Sequence, residues 1–445
     1  MNYTLIYYLI YKFLFISALL FPNAFIYGQE NNPSVSSPDP LIIKLDEQGN
    51  QTVRFITWHQ FWVTAQEQKN DKKIDLTPSI RRMRFLMVGQ LSPKIMTGMH
   101  WGLNNLSSDK LSTTGNDRPG SQFFLHEAWI EFKLLNEIYL GGGLHYWQGL
   151  NRLANSSTLT FMTLDHTTPC LGWAQLGYTN QYGRNLGMYV KGQINQLDYR
   201  LAISDPVRNG FDADLGVNSL SPQKAQYNAI NLFDGREGAF TFEGYMRYQV
   251  YERESITLPY MAGTYFGEKQ IFNLGAGFFF QPNGSLTLTD GDNPVDGNLQ
   301  GEELIGDLYR KTTLHNIFHY SVDAFYEAPL HRGAITAYST LMHFNFGPNW
   351  IGKNAGTGYA WYTHCGYLLP DKHFQPYLAF QLRKFDEHKN SEREIGKTLH
   401  AGVNYFIIGH HAKLTLEYMR LYQSGHPKVR DPASGRLSLQ AQIYF

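Results

Sequence analysis

The run Leu399-His400-Ala401-Gly402-Val403-Asn404-Tyr405-Phe406-Ile407 decides how the chain is read. It carries an apolar residue at every second place, Leu399, Ala401, Val403, Tyr405 and Ile407, with His400, Gly402 and Asn404 between them. After Gly409-His410 the alternation resumes, with Ala412, Leu414, Leu416 and Tyr418 against Lys413, Thr415 and Glu417. It returns once more in Leu437, Leu439, Ala441, Ile443 and Phe445 against Ser438, Gln440, Gln442 and Tyr444. Successive side chains of a strand point to opposite faces, so each segment offers one greasy face and one wet face. One such segment would also suit a sandwich. Three in succession, ending on an aromatic residue, predict an all-β transmembrane antiparallel barrel with lipid outside and water inside.

Composition agrees with that reading. Of 445 residues, 15% are aromatic, including 29 Tyr and 29 Phe, which two aromatic girdles would require and a Tyr-rich soluble β protein would also show. The net charge is zero, which argues against a nucleic-acid partner and gives no overall anion bias. Cys170 and Cys365 are the only cysteines; two unrelated buried thiols is the expectation, with a single disulfide between them as the alternative. Leu5 to Tyr27 is almost wholly apolar, interrupted by Lys12 and Asn23. Residues 1–28 thus read as a signal peptide with Gly28 as its last residue; a retained anchor is the competing reading. Beyond it, no apolar run approaches the roughly 20 residues of a membrane helix, and only helices and closed barrels satisfy their backbone in lipid.

Residues 29–51 read as a polar leader and 52–445 as the barrel. About sixteen strand-like segments begin near Val53, Ile80, Ile95, Phe123, Ile138, Leu186, Leu197, Ala239, Ile271, His315, Ala334, Thr357, Phe374, Thr398, His411 and Leu437. Their connections alternate in length. Thr64–Thr77, Asn105–Ser121, Gly149–Arg184, Asp205–Glu237, Gly347–Gly356, Asp386–Gly396 and Tyr422–Arg436 are long; Leu91–Lys94, Leu134–Asn136, Asn195–Gln196, Pro370–Lys372 and Gly409–His410 are short. Short periplasmic turns and long extracellular loops are the outer-membrane pattern. Glu252–Gln270 breaks it. This connection should be short, yet it is long, so either a strand extends past the membrane there or the count is off by two.

Four places resemble the phosphate-selective porin O and P family, especially its relatives in Bacteroidetes-type outer membranes. They are Ile80-Arg81-Arg82-Met83-Arg84-Phe85, Gly141-Gly142-Gly143-Leu144-His145-Tyr146-Trp147 leading into Gly149-Leu150-Asn151-Arg152, Leu197-Asp198-Tyr199-Arg200-Leu201-Ala202, and Gly402-Val403-Asn404-Tyr405 through Leu416-Glu417-Tyr418 to Phe445. The resemblance implies a sixteen-stranded porin, a homotrimer, with the third long loop folded into the lumen. It also implies that Phe445 is an assembly signal for the barrel-assembly machinery, and that anion preference would rest on basic residues in the pore. The chain shows no continuous ladder of these.

Alternation also assigns the pore lining. Arg82 and Arg84 fall opposite Met83, Phe85 and Met87. Glu127 and Glu131 fall opposite Ala128, Ile130 and Phe132. Lys191, Asp198, Arg200, Glu243, Arg247, Asp323, Glu327, Gln381, Arg383, Lys413 and Glu417 complete the wet face. Charges in a pore filter solutes by sign, and an infolded loop sets the diameter; the alternative is a solvated network that merely hydrates the wall. Residues 149–184 are the candidate constriction loop, carrying Asn151, Arg152, Asp165 and His166, with an extracellular cap as the other reading. Asp290-Gly291-Asp292-Asn293-Pro294-Val295-Asp296-Gly297 lacks the EF-hand residues at 294 and 295, and no HExxH or P-loop occurs. His410-His411 and His400 read as rim residues near a turn rather than metal ligands. No metal or cofactor is expected. The function expected is an outer-membrane porin, a passive diffusion channel for small hydrophilic solutes or ions, phosphate among them. The alternatives are a barrel enzyme, a substrate-specific or plugged transporter, and a surface adhesin. Expected partners are outer-membrane lipid and the solutes themselves.

Overall fold

The computed structural model describes residues 41–445 apart from 68–73, 109–122, 147–148, 166–183, 207–224, 228–239, 290–292, 294, 297, 299–302, 304–305, 308–309, 349, 351–356, 386–393 and 425–433. Gly28, His166 and Cys170 therefore lie outside the described residues. The strands are β1 (Leu41–Lys44), β2 (Thr52–Glu67), β3 (Ile74–Ser92), β4 (Ile95–Ser107), β5 (Phe124–Lys133), β6 (Tyr139–His145), β7 (Asn185–Ile194), β8 (Leu197–Asp205), β9 (Gln226–Tyr227), β10 (Thr241–Gln249), β11 (Ile271–Leu288), β12 (Thr312–Leu330), β13 (Gly333–Asn345), β14 (Gly358–Leu368), β15 (Phe374–Phe385), β16 (Glu394–Ile408), β17 (Ala412–Ser424) and β18 (Ser434–Tyr444). Two are accessories: β1 folds back on the start of β2, and the two-residue β9 pairs with β11. The other sixteen form one closed antiparallel barrel, each pairing with the next.

Closure is made between β18 and β2, from Arg436↔Gln66 to Tyr444↔Trp58. Thr57 and Phe445 then exchange two backbone hydrogen bonds, of 2.8 and 3.0 Å. A closed ring leaves no sheet edge with unpaired backbone groups, the condition for lying in hydrocarbon.

Side-chain alternation sorts the two faces. Ser438, Gln440 and Gln442 of β18 are buried inward while Ile443 is exposed outward. On β17, Lys413, Thr415 and Glu417 point in and Tyr418 points out. Leu378 on β15, Val322 on β12, Leu399 on β16 and Met188 on β7 extend the exposed apolar belt around the barrel. Such a belt suits lipid and not water.

Three local features depart from the sequence reading. The Thr64–Thr77 connection is mostly strand: β2 runs to Glu67 and β3 starts at Ile74, with Val63↔Pro78 paired inside the ladder. Pro78 argues against strand because it lacks a ladder donor, but a barrel strand rising above its neighbours tolerates it. Cys365 is exposed on the outward face of β14, not buried, because it shares that face with Tyr359 and Trp361. Finally, of the register shifts in the wall, two fall at charged inner positions, at Gln60/Phe61 opposite Arg82/Ile80 and at His100/Trp101 opposite Glu127/Leu125. Each leaves one extra residue, Arg81 and His126, whose side chain is turned off the simple alternation.

Candidate functional site

Two chain segments enter the barrel. The first leaves β6 and occupies residues 149–165. Gly149 and Leu150 both have positive φ, 62° and 57°, which turns the chain inward. This is an uncommon conformation for leucine and marks a constrained site. Gly277 on β11 makes room for it, since a Cβ there would collide with the Leu150 carbonyl oxygen. The segment then crosses to the far wall. Arg152 N donates to Asp323 Oδ2 at 2.7 Å, and Ser321 Oγ donates to Leu150 O. Farther along, Lys413 Nζ donates to Phe161 O at 2.8 Å and Asn404 Nδ2 to Met162 O at 2.7 Å. Gln442 Nε2 reaches Leu159 O at 3.0 Å, and Leu164 N donates to Glu417 Oε2 at 3.3 Å. Asp165 closes the segment on β3, accepting from Arg81 at 2.6 Å and Arg82 at 2.9 Å.

The second segment is the connection between β10 and β11, the long turn on the short-turn side. It neither extends a strand nor disturbs the strand count. It folds inward, and the wall holds its carbonyls. Lys191 Nζ donates to Ile256 O and Thr257 O at 2.7 and 3.1 Å, and Arg200 Nη1 to Pro259 O at 2.8 Å. Tyr260 donates its hydroxyl to Glu127 Oε2 at 2.6 Å. The backbone N–H groups of Tyr265 and Gly267 both donate to Glu327 Oε1, at 2.8 and 2.9 Å. Phe266 packs on His410 and Phe406 with ring centroids 4.4 and 4.8 Å apart.

The two segments dock on each other inside the lumen. Ser157 N donates to Met261 O at 3.0 Å and Met261 N to Asn155 O at 2.8 Å, a one-bridge parallel pairing. Gly263 N donates to Thr160 Oγ1 at 2.9 Å. Arg152 then makes two hydrogen bonds to Glu254, both 2.7 Å, and a third to Ala262 O at 2.6 Å. Glu254 also accepts from Arg247, Asn273 and the Tyr265 hydroxyl. Burial pushes the Glu254 carboxyl up, but the Arg152 and Arg247 guanidinium groups outweigh it and hold it below the ordinary carboxylate range. Buried paired charges of this kind are sensitive to loss of either partner.

All the charged residues assigned to the wet face from alternation are buried on the inner side. They fall into local sets. Lys191 pairs with Glu131 at 2.9 Å, and Arg247 with Asp198 at 2.9 Å, with Arg200 against the same Asp198 at 3.3 Å. Asp323 gathers Tyr245 and Tyr338 hydroxyls at 2.9 and 3.0 Å. Glu417 takes His400 at 2.9 Å and Tyr377 at 2.8 Å, and His400 Nε2 lies 3.2 Å from Gln381. Glu243 accepts from Ser204 at 3.2 Å and from Asn185. Arg383 is buried on the same inner face. Asn151 caps the first segment internally, its Oδ1 accepting from Ala154 N at 2.9 Å. Arg81, His126, Arg184, Glu254 and Tyr260 join these sets without having been assigned to the pore lining from the sequence. The bulges hide Arg81 and His126 from any period-two reading, while the oversize Glu252–Gln270 turn was the visible signal for Glu254 and Tyr260. Among the described residues, no group of three or more His, Cys, Asp or Glu could hold a metal ion.

No family model and no curated protein matches the chain. Solved structures do. Salmonella typhi OmpF, in a complex with daunomycin, aligns with TM-score 0.50 at 10% identity, covering 89% of this chain and 98% of that one. OmpT, an outer membrane protein of Vibrio cholerae, aligns at 0.49 and 11% identity, covering 91% and 100%. A mutant of the Rh. blastica porin aligns at 0.45 and 10%, covering 88% and 100%. At these identities the likeness is one of fold. The closed sixteen-strand sheet and the apolar belt define an integral outer-membrane β-barrel of the porin type.

Proposed function

We propose that the protein is a porin, a passive diffusion channel for small hydrophilic solutes or ions. The observation that supports this is the crossing of the lumen by residues 149–165, tied to β3, β12, β16, β17 and β18 by the hydrogen bonds given above. A wall-anchored segment narrows the lumen to a waist, and the charges around it filter by sign. Asn151, Arg152 and Asp165 are the waist residues, while the buried charges from Arg82 to Glu417 line the route. The protein catalyses no reaction in this reading. Its partners are lipid, the barrel-assembly machinery acting on Phe445, and two further copies in a homotrimer. Membership of the phosphate-selective porin O and P family rests on the four motifs alone. A second reading, a plugged and substrate-specific transporter, draws on the docking of the second inward segment onto the first.

The test is single-channel recording in planar bilayers, with reversal potential under a salt gradient. Stepwise ohmic currents are expected. Phosphate selectivity over chloride would carry the narrower family reading. Folded, heat-modifiable protein that passes no current would overturn the diffusion channel and leave the plugged transporter.

A further inference from the structure

A cavity of about 220 Å³ lies between one sector of the wall, β2 to β5, and the two inward segments at 157–160 and 258–262. We propose that it binds a small organic carboxylate with an apolar or aromatic body. The proposal deepens the channel reading and rests on it only for how the ligand arrives.

The polar side of the cavity is undersupplied with anions. Arg84 is buried, yet its hydrogen-bond partners are neutral oxygens: Met83 O at 3.1 Å, Leu103 O at 2.6 Å and Asn104 Oδ1. Arg54 has no hydrogen-bond partner among the described residues, and its Nε is buried. A buried cation without a carboxylate is costly, and an anion relieves it. Three ring nitrogens at the same cavity are orphaned as well: Trp58 Nε1, His100 Nε2 and His126 Nδ1. Their residues are only 6%, 2% and 5% exposed. The indole N–H can only donate, so it calls for an acceptor. His100 Nδ1–H is committed to Glu127 Oε1 at 3.2 Å, which leaves its Nε2 an acceptor in the neutral ring, so the indole is the unmet donor of the three; unmet buried donors are rare in folded proteins and ask for an explanation.

The cavity is also lined by apolar side chains, Ile56 and Leu86 from the wall and Leu159 and Leu258 from the two segments. Tyr146 and Tyr260 stand edge-to-face there, with centroids 5.2 Å apart. Phosphate carries oxygens on every side, and any turned to these carbons would lack a hydrogen bond. A carboxylate places all its charge at one end. An apolar cavity of about 150 Å³ is enough to hold benzene, so a ring plus one carboxylate matches the volume here.

Calorimetric titration of the folded, detergent-solubilised barrel tests this with three probes: sodium benzoate, inorganic phosphate and benzyl alcohol. Benzoate is expected to saturate one site, with phosphate and benzyl alcohol at least about tenfold weaker, the scale of one charge-assisted contact. Arg84→Gln and, separately, Arg54→Gln should each weaken benzoate about tenfold. Arg54→Gln guards against loss of folding, since that side chain holds no hydrogen bond among the described residues, and heat-modifiable mobility certifies both. Phosphate binding as tightly as benzoate would make the site one for inorganic anions and overturn the proposal. Equal binding of benzyl alcohol, absence of saturable benzoate binding, or no effect of either variant in folded protein would overturn it too. Ohmic current without benzoate binding defeats the site alone; benzoate binding without current defeats the channel alone.

Discussion

Arg152 and Glu254 meet inside the barrel from opposite rims, joined by two hydrogen bonds of 2.7 Å between side chains that are both buried. One belongs to the long connection after β6, the other to the turn after β10. The pair fastens the two inward segments to each other.

Removing one partner strands the other. Glu254→Gln leaves Arg152 and Arg247 facing each other without their shared carboxylate, and an uncompensated buried charge costs about 3–5 kcal/mol. Guanidinium unfolding in detergent should show a loss of that order, and single-channel records should become larger and noisier as the segments part. The double variant Arg152→Met, Glu254→Gln should recover part of the stability; strict additivity of the two single losses would count against the pairing.

The second segment can be tested with the sequence of the first left intact, although their mutual hydrogen bonds are lost. Replacing 255–266 with a short glycine-serine turn should raise single-channel conductance several-fold while leaving the barrel heat-modifiable. An unchanged conductance would place that segment outside the permeation route.

The acid response follows from Glu254. Its carboxyl is held below the ordinary range, so its contribution to stability is complete above the unfolded value and is lost as pH falls through the lower folded value. With an unfolded carboxyl near roughly 4.3, conductance should stay flat between about pH 8 and about pH 5 and rise only in stronger acid. A rise centred near neutral pH would assign the gating to another group.

Asp165 neutralises two guanidinium groups at once, Arg81 at 2.6 Å and Arg82 at 2.9 Å. Asp165→Asn should therefore move the reversal potential toward anions, most at low salt, where screening is weakest. A reversal potential indistinguishable from the parent would mean that permeating ions do not sense this cluster.

On the lipid side, Leu378 is 60% exposed near the middle of β15. Leu378→Arg should cost about 2–4 kcal/mol when unfolding is followed in lipid vesicles, as expected for a cation at the hydrocarbon midplane. A change within experimental error would place β15 outside the bilayer.

Much of the barrel could be read in the sequence because a wall strand has only two faces. The starts at Ile95, Leu197, Ile271 and Phe374 coincide with the observed ones, and the others fall within a few residues, apart from Ile80. There Pro78 and the Arg81 bulge masked six more residues of β3. Period-two reading fails wherever a bulge inserts a residue, which is why Arg81 and His126 were not assigned to the inner face. It has nothing to say about connections, whose paths depend on distant partners. Lys191 and Arg200 reveal themselves as clamps for Ile256, Thr257 and Pro259 only once the turn is seen to bend inward. The length of Glu252–Gln270 was legible; its direction was not.

The seam between β2 and β18 bears on how the molecule is made. Gln60 and Gln442 touch across it at 2.8 Å although 382 positions separate them along the chain. Contacts of such separation form slowly, because a long loop must close before they contribute. Until β18 arrives, β2 presents an open row of donors and acceptors, the kind of edge on which strands of other molecules add. Every copy must therefore pass through an interval, lasting until its last wall strand is in place, when it is competent to pair with its neighbours instead of itself.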